Sequence, residues 1–322
     1  MGRGLVGRAA PTTFIFIPAD WDGVRIELIL VGDELLEDVG GVQPQYIQEM
    51  LRDIHADVHR AGASIGRLTV VGDSEGELAG ALRDAATRGA EGVVVFGGLG
   101  PTHDDRTRDE AAAVIGQGRP APHAEAMAWL LEKMTTRGLP PPEPGSHQER
   151  MGHSPPGAIP IPNITGMAAG LRFRLPPRTE VWCLPGVTIE ALPMWREHIL
   201  PVVVAASGGT ADRGEATLMV RGVREGVVAP VVDMLLLRHP HLKAGVYLTE
   251  LERNRFRGVR IVLRGPSGEF PVAYDDLTEA LRELPGATVE GSWKRSRARS
   301  GARSGAGSGA RSGAGPEPGP GG

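Results

Sequence analysis

One stretch constrains this chain more than any other: Gly92-Val93-Val94-Val95-Phe96-Gly97-Gly98-Leu99-Gly100-Pro101-Thr102-His103-Asp104-Asp105-Arg106-Thr107. An apolar run of strand length ends in three glycines within four positions, Gly97, Gly98 and Gly100. A proline and two adjacent carboxylates follow, and a helical pattern opens at Thr107. Glycine lets backbone N–H groups close on a phosphate without a Cβ in the way. The helix behind points its partly positive N-terminus at the same place. Asp104 and Asp105 would repel that phosphate unless a cation sat between them, and hard Mg2+ prefers carboxylate and phosphate oxygens. The stretch reads as a metal-assisted phosphate or pyrophosphate loop, against the plain alternative of a strand-to-helix turn that needs glycine only for sharpness.

Composition matters here for what it excludes. At 322 residues the chain exceeds the size at which single cores stop growing, so two domains are expected. Hydrophobic residues at 41% and charged residues at 23% describe an ordinary globular protein. The formal charge of −4 hides an asymmetry: residues 294–322 carry six basic side chains and one acid, and without them the rest stands near −9. That balance argues against a specific nucleic-acid partner for the body of the protein. A single cysteine, Cys183, excludes an internal disulfide and fits a reducing cytoplasm. No apolar run approaches the ~20 residues needed to span a bilayer, so no membrane partner is expected.

Along the chain, residues 1–23 read as an unstructured extension or an early start codon, outside the fold. Residues 25–31 read as a strand covered on both faces. It ends in Gly32-Asp33-Glu34-Leu35-Leu36, a second place where a strand's carboxyl end meets glycine and carboxylates, and ligands of open α/β sheets bind beyond such ends. Tyr46, Ile47, Met50, Leu51 and Ile54 recur at helical spacing. Strands follow at 64–71 and 92–96. Ser74 with Glu77, and Thr107 with Glu110, have capping-box spacing, which starts helices there and puts Asp105 at a helix N-terminus facing the glycines. Met127, Leu130, Leu131 and Met134 mark a further helix with Gly138 as its stop. Such alternation predicts an α/β domain with a mostly parallel sheet between two helical layers. Prolines cluster from 139 to 165, either as a linker or as loops of the same domain. A strand at 181–184 turns at Pro185-Gly186, which would wall the pocket from the opposite side, and a helix runs over 190–204. After a small-residue boundary, strand, helix, strand, strand, helix and strand over 216–290 predict a small α+β sandwich of βαββαβ order. His239-Pro240-His241 reads as a solvated turn, since a metal needs a third ligand. The resulting division is an extension at 1–23, a first domain at 24–207, a second at 212–293 and a disordered low-complexity tail at 294–322.

The segment Gly97-Gly98-Leu99-Gly100-Pro101-Thr102-x-Asp104-Asp105-x-Thr107 resembles the signature of the competence/damage-inducible CinA family, a branch of the molybdopterin-binding MoaB/Mog fold. Gly32-Asp33-Glu34-Leu35-Leu36 matches that family unchanged. So do Pro156-Gly157-Ala158, Asn163, Gly166, Gly170 and Leu184-Pro185-Gly186-Val187, which place the proline-rich stretch inside the first domain. Two departures stand out: Val42-Gln43-Pro44 replaces an Asn/Asp-Thr-Asn run, and Thr188 replaces a proline. The second half resembles the KH-like middle domain of longer members. The resemblance does not extend to their carboxy-terminal amidohydrolase domain, so nicotinamide-mononucleotide deamidation is not expected of these residues.

The resemblance implies a divalent-metal-dependent nucleotide pyrophosphatase acting on ADP-ribose-like dinucleotides. It implies phosphate and substrate contacts at Gly97, Gly98, Gly100, Thr102, Gly32, Asn163, Pro185 and Gly186. Asp105, with Asp33 or Glu34, would hold Mg2+ or Co2+, and Asp104 would orient the attacking water. His103 is a candidate proton donor or an exposed histidine without a role. The alternatives are molybdopterin binding or adenylylation in molybdenum-cofactor synthesis, or a degenerate nucleotide binder without catalysis. The partner in each case is a small nucleotide or pterin phosphate, and relatives of this fold imply a homodimer or trimer.

Overall fold

The computed structural model describes residues 24–37, 45–207, 213–249, 251–252, 255–256 and 258–296. The expectations for the extension, for the tail beyond Ser296 and for Val42-Gln43-Pro44 lie outside these residues, whereas Lys294, Arg295 and Ser296, expected to open the disordered tail, are paired in the last strand of the second domain. The first domain comprises β1 (Arg25–Val31), α1 (Glu34–Glu37), α2 (Gln45–Arg60), β2 (Ser64–Val71), α3 (Glu77–Thr87), β3 (Gly92–Phe96) and α4 (Thr107–Ile115). It continues with β4 (Ala121–Pro122), α5 (Ala124–Thr136), β5 (His153–Ser154), β6 (Ile159–Ile161), β7 (Gly170–Leu175), β8 (Thr179–Leu184), α6 (Thr188–Met194) and α7 (Leu200–Ala206). A π-turn over Trp195–Ile199 joins the last two helices.

Six strands form one sheet in the order β2-β1-β3-β8-β7-β6. The pairs β1–β2, β1–β3 and β3–β8 are parallel, while β7 and β6 add an antiparallel edge. Apolar runs rather than alternation mark β1 and β3 because helices cover both faces: every residue of β3 and all of β1 except Arg25 is buried. One face packs Ile29, Val93 and Val95 against α3, α4 and α5 through Leu82, Ala111 and Leu130. The other packs Leu28, Val94 and Trp182 against α2 and the final helices through Met50, Ile54 and Trp195. Because β6 belongs to this sheet, the proline-rich stretch is folded into the domain.

Neither capping box forms. At α3 the N-cap is Gly76, in the left-handed region at φ 88°, without a side-chain cap. Its amides are served from another helix: the buried Glu110 carboxylate accepts from the N–H groups of Gly76 at 3.0 and 3.1 Å and of Ala79 at 3.0 Å. Glu110 is therefore unavailable to its own helix. Thr107 is diverted too, its hydroxyl donating to the Gly97 carbonyl at 2.8 Å. Spacing located both helices correctly, but tertiary partners took the capping groups. Arg108 is buried in the same region. Its guanidinium donates to the carbonyls of Leu99, Met151, His153 and Ala169 at 2.7–3.2 Å. Burial pulls its pKa down to about 10.

The second domain follows with β9 (Arg213–Arg221), α8 (Glu225–Arg238), β10 (Lys243–Leu248), β11 (Leu251–Glu252), β12 (Arg255–Phe256), β13 (Val259–Pro266), α9 (Phe270–Arg282) and β14 (Thr288–Ser296). Its main sheet is antiparallel in the order β10-β13-β9-β14, which places β13 between the two strands that α8 connects. This is the split β-α-β arrangement, and β11 with β12 adds a small hairpin. The second helix of this domain opens at Phe270 with Pro271 in its first turn, where a missing N–H costs nothing.

Candidate active site

Three parallel strands end together at one edge of the sheet, and a cavity of about 650 Å3 opens beyond them. Gly32 and Glu34 reach it after β1, the glycine loop after β3, and Pro185 and Gly186 after β8. The loop's backbone needs glycine for stated reasons. Gly97 has φ 113°, and a Cβ there would stand 2.4 Å from the Val31 carbonyl oxygen. Gly98 has φ 66°, and a Cβ would meet the Thr107 hydroxyl at 2.3 Å. The Pro185-Gly186 turn closes in from β8, where a Cβ on Gly186 would lie 3.3 Å from Gly97 Cα.

Asp105 lies against the glycines but is turned onto its own loop. One carboxylate oxygen accepts from the Gly100 N–H at 2.7 Å. The other accepts from the N–H and hydroxyl of Thr102 at 2.8 and 2.5 Å. The Gly100 amide expected to face phosphate thus points at a side chain of the protein. Asp105 still lines the cavity, beside Asp104 on the rim. The amides of Gly97 and Thr107 are likewise engaged, with the carbonyls of Leu184 and Gly98 at 3.0 Å each.

Of the other expected residues, Gly32, Glu34, Gly97, Gly98, Gly100, Pro185 and Gly186 line the cavity, whereas Asp33, Thr102 and Asn163 do not. Asn163 is buried and fully bonded: its amide nitrogen donates to Ala168 O and Glu190 Oε2, and its oxygen accepts from the N–H groups of Thr165 and Gly166. It holds a wall of the cavity in place. Asp33 exchanges backbone-to-carboxylate hydrogen bonds with Asp73 at 2.9 and 3.0 Å. The side chain of His103 is 92% exposed and contributes nothing to the lining.

Asp73 itself escaped the sequence reading. The signal was present, because Gly72-Asp73 follows β2 as Gly32-Asp33 follows β1. Burial first, then the charges of Asp33, Asp104 and Asp105, raise the Asp73 pKa. Also unforeseen were Tyr46, Arg137 and Glu190 in the lining. Thr188, the second departure, donates its hydroxyl to the Tyr46 carbonyl at 3.1 Å and so ties α6 to α2 across the cavity mouth.

The lining carries the carboxylates Glu34, Asp73, Asp104, Asp105 and Glu190 against the single cation Arg137. Among the described residues no three His, Cys, Asp or Glu side chains form a metal cage on their own. An all-oxygen set with excess negative charge fits Mg2+, which is usually held by one or two carboxylates together with substrate phosphates. No helix among the described residues is long and apolar enough to cross a membrane.

Comparison with known proteins agrees with this architecture. Residues 27–205 match the family described as a probable molybdopterin binding domain. A protein of Pyrobaculum arsenaticum is 33% identical over 275 residues, covering 82% of this chain and 97% of that one. A CinA-like protein of Frankia casuarinae is 34% identical over 208 residues, covering 64% of this chain and 46% of its own length. The chain thus spans about half the length of that CinA-like relative. A crystal structure of the protein CinA from Thermoplasma acidophilum, of unknown function, is 29% identical, with a TM-score of 0.45 over 54% of this chain and 95% of that one.

Proposed function

Since the chain belongs to the molybdopterin-binding-domain family, among its CinA-like members, we propose that it is a divalent-metal-dependent nucleotide pyrophosphatase that splits ADP-ribose-type dinucleotides. The observation that carries this reading is the meeting of a glycine loop with five carboxylates, Glu34, Asp73, Asp104, Asp105 and Glu190, in one cavity at the strand ends.

Asp104 and Glu34 would hold the cation jointly with the substrate's phosphates. When bound, such an ion neutralises charge developing on the transferred phosphoryl group. Asp73 serves as the base, because a raised pKa makes its carboxylate a better proton acceptor. It takes a proton from water as the water oxygen bonds to one phosphorus; the bridging P–O bond breaks, and AMP leaves with its electron pair. Arg137 at the rim steadies the diphosphate by charge. Asp105 is a positioning residue, since its carboxylate fixes the loop through Gly100 and Thr102. Tyr46, with its neighbours Ile47 and Phe96, offers apolar surface for a base.

A phosphorylated pterin is the second reading, favoured by the description of the matched family. The two separate on product. With ADP-ribose and Mg2+, Asp104→Asn abolishes AMP release while the melting temperature stays within a degree or so of wild type, because the side chain is exposed. Asp105→Asn loses both activity and stability, since an amide cannot accept all three loop hydrogen bonds. Turnover surviving in Asp104→Asn removes the mechanism, and tight pterin retention without AMP release selects the alternative.

A further inference from the structure

The second domain's sheet is covered on one face only. Alternate residues of β9 and β13, among them Leu218, Val220 and Ile261, are buried under α8 and α9, and their neighbours project the other way. Register on that open face sets Lys294 opposite Glu215, and Glu215 opposite Arg264, as one row across three strands. Facing the row is α2 of the first domain, where Arg52, His55 and His59 recur on one side at helical spacing. A cleft of about 670 Å3 lies between the helix and the sheet.

Its charge is unbalanced. Glu215, the carboxylate in the lining, is already engaged: it accepts from Arg264 Nε at 3.1 Å and stands 3.2 Å from His59 Nε2. Arg60 pairs with the buried Asp57, which also receives Trp195 Nε1 and Arg196 Nε at 3.2 Å each. Arg52 and Lys294 are exposed and form no ion pair among the described residues. Burial, and then the charge of Arg264, hold the His55 imidazole below its usual value. A chain of formal charge −4 has thus gathered cations in one recess and left two of them without counter-ions among the described residues.

We propose that this interdomain cleft is a second anion site that takes a small polyphosphate or multiply phosphorylated ester, gripped by Arg52 from the helix and by Lys294 and Arg264 from the sheet. The volume is that of a small-ligand pocket. Because the cations come from both domains, the bound anion ties the domains together. None of the three lines the glycine-loop cavity, so the site is independent of the proposed hydrolysis.

Calorimetric titration of the full chain with inorganic tripolyphosphate, in low salt with EDTA, tests this. Saturable one-to-one binding is expected, weakened roughly ten- to a hundredfold in Arg52→Glu/Lys294→Glu. The charge-neutral pair Arg52→Gln/Lys294→Gln should fall between, and both variants should keep wild-type AMP release from ADP-ribose. Absence of saturable binding in the wild type, or undiminished binding after charge reversal, overturns the proposal. So does binding of single-stranded RNA that tripolyphosphate does not displace, which would assign the cleft to a polymer.

Discussion

Gly97 is where the demands of fold and site coincide. Its φ of 113° and the 2.4 Å approach of the Val31 carbonyl leave no room for a side chain. Gly97→Ala should therefore lower stability by roughly 2–4 kcal/mol, measured as a fall in the urea midpoint. Asp73 makes a different prediction. Its pKa is raised in the folded protein, so ionisation is easier in the unfolded chain and folding loses stability as pH rises through the Asp73 value. Below the unfolded pKa that cost is absent. Without divalent cation, Asp73→Asn should thus melt slightly higher than wild type at neutral pH. The same change should slow AMP release by roughly a hundredfold or more, and the residual rate should lack the acidic limb of the wild-type pH profile, because the base must be ionised. A lower melting temperature in Asp73→Asn would show that its hydrogen bonds outweigh the repulsion.

At the scale of elements, the helix starts are settled by long-range partners. Glu110 reaches from α4 to the N-terminus of α3, so Glu110→Ala should cost about 1–2 kcal/mol in chemical denaturation. Ser74→Ala, which would matter if the local capping box existed, should stay within about 0.5 kcal/mol. Equal losses in the two variants would contradict this assignment. The contrast also explains what was legible beforehand. Strands β1, β2 and β3 could be read to the residue because each stops sharply at a glycine, Gly32, Gly72 and Gly97. Which side chain serves which amide could not, because Ser74 and Glu77 have ideal spacing while Glu110 wins by geometry that only the packed helices create. Arg108 was invisible for the same reason: nothing local marks an arginine whose acceptors lie as far off in sequence as Ala169.

At the scale of the whole molecule, the site is a convergence of strand ends. Sequence exposed it wherever glycine and carboxylate stand together after a strand, as at Gly32-Asp33-Glu34 and Gly100 to Asp105. It misassigned Asn163, whose polarity serves a loop, and passed over Asp73, whose importance comes from sheet order placing β2 beside β1. On the proposed reading, this convergence hydrolyses a diphosphate with the help of a cation. The direct measurement is the release of AMP and ribose 5-phosphate from ADP-ribose by the purified chain, with Mg2+ or Co2+ and again with excess EDTA. Stoichiometric release of both products that EDTA abolishes and added cation restores is predicted; no release with either ion, or release indifferent to EDTA, would contradict it.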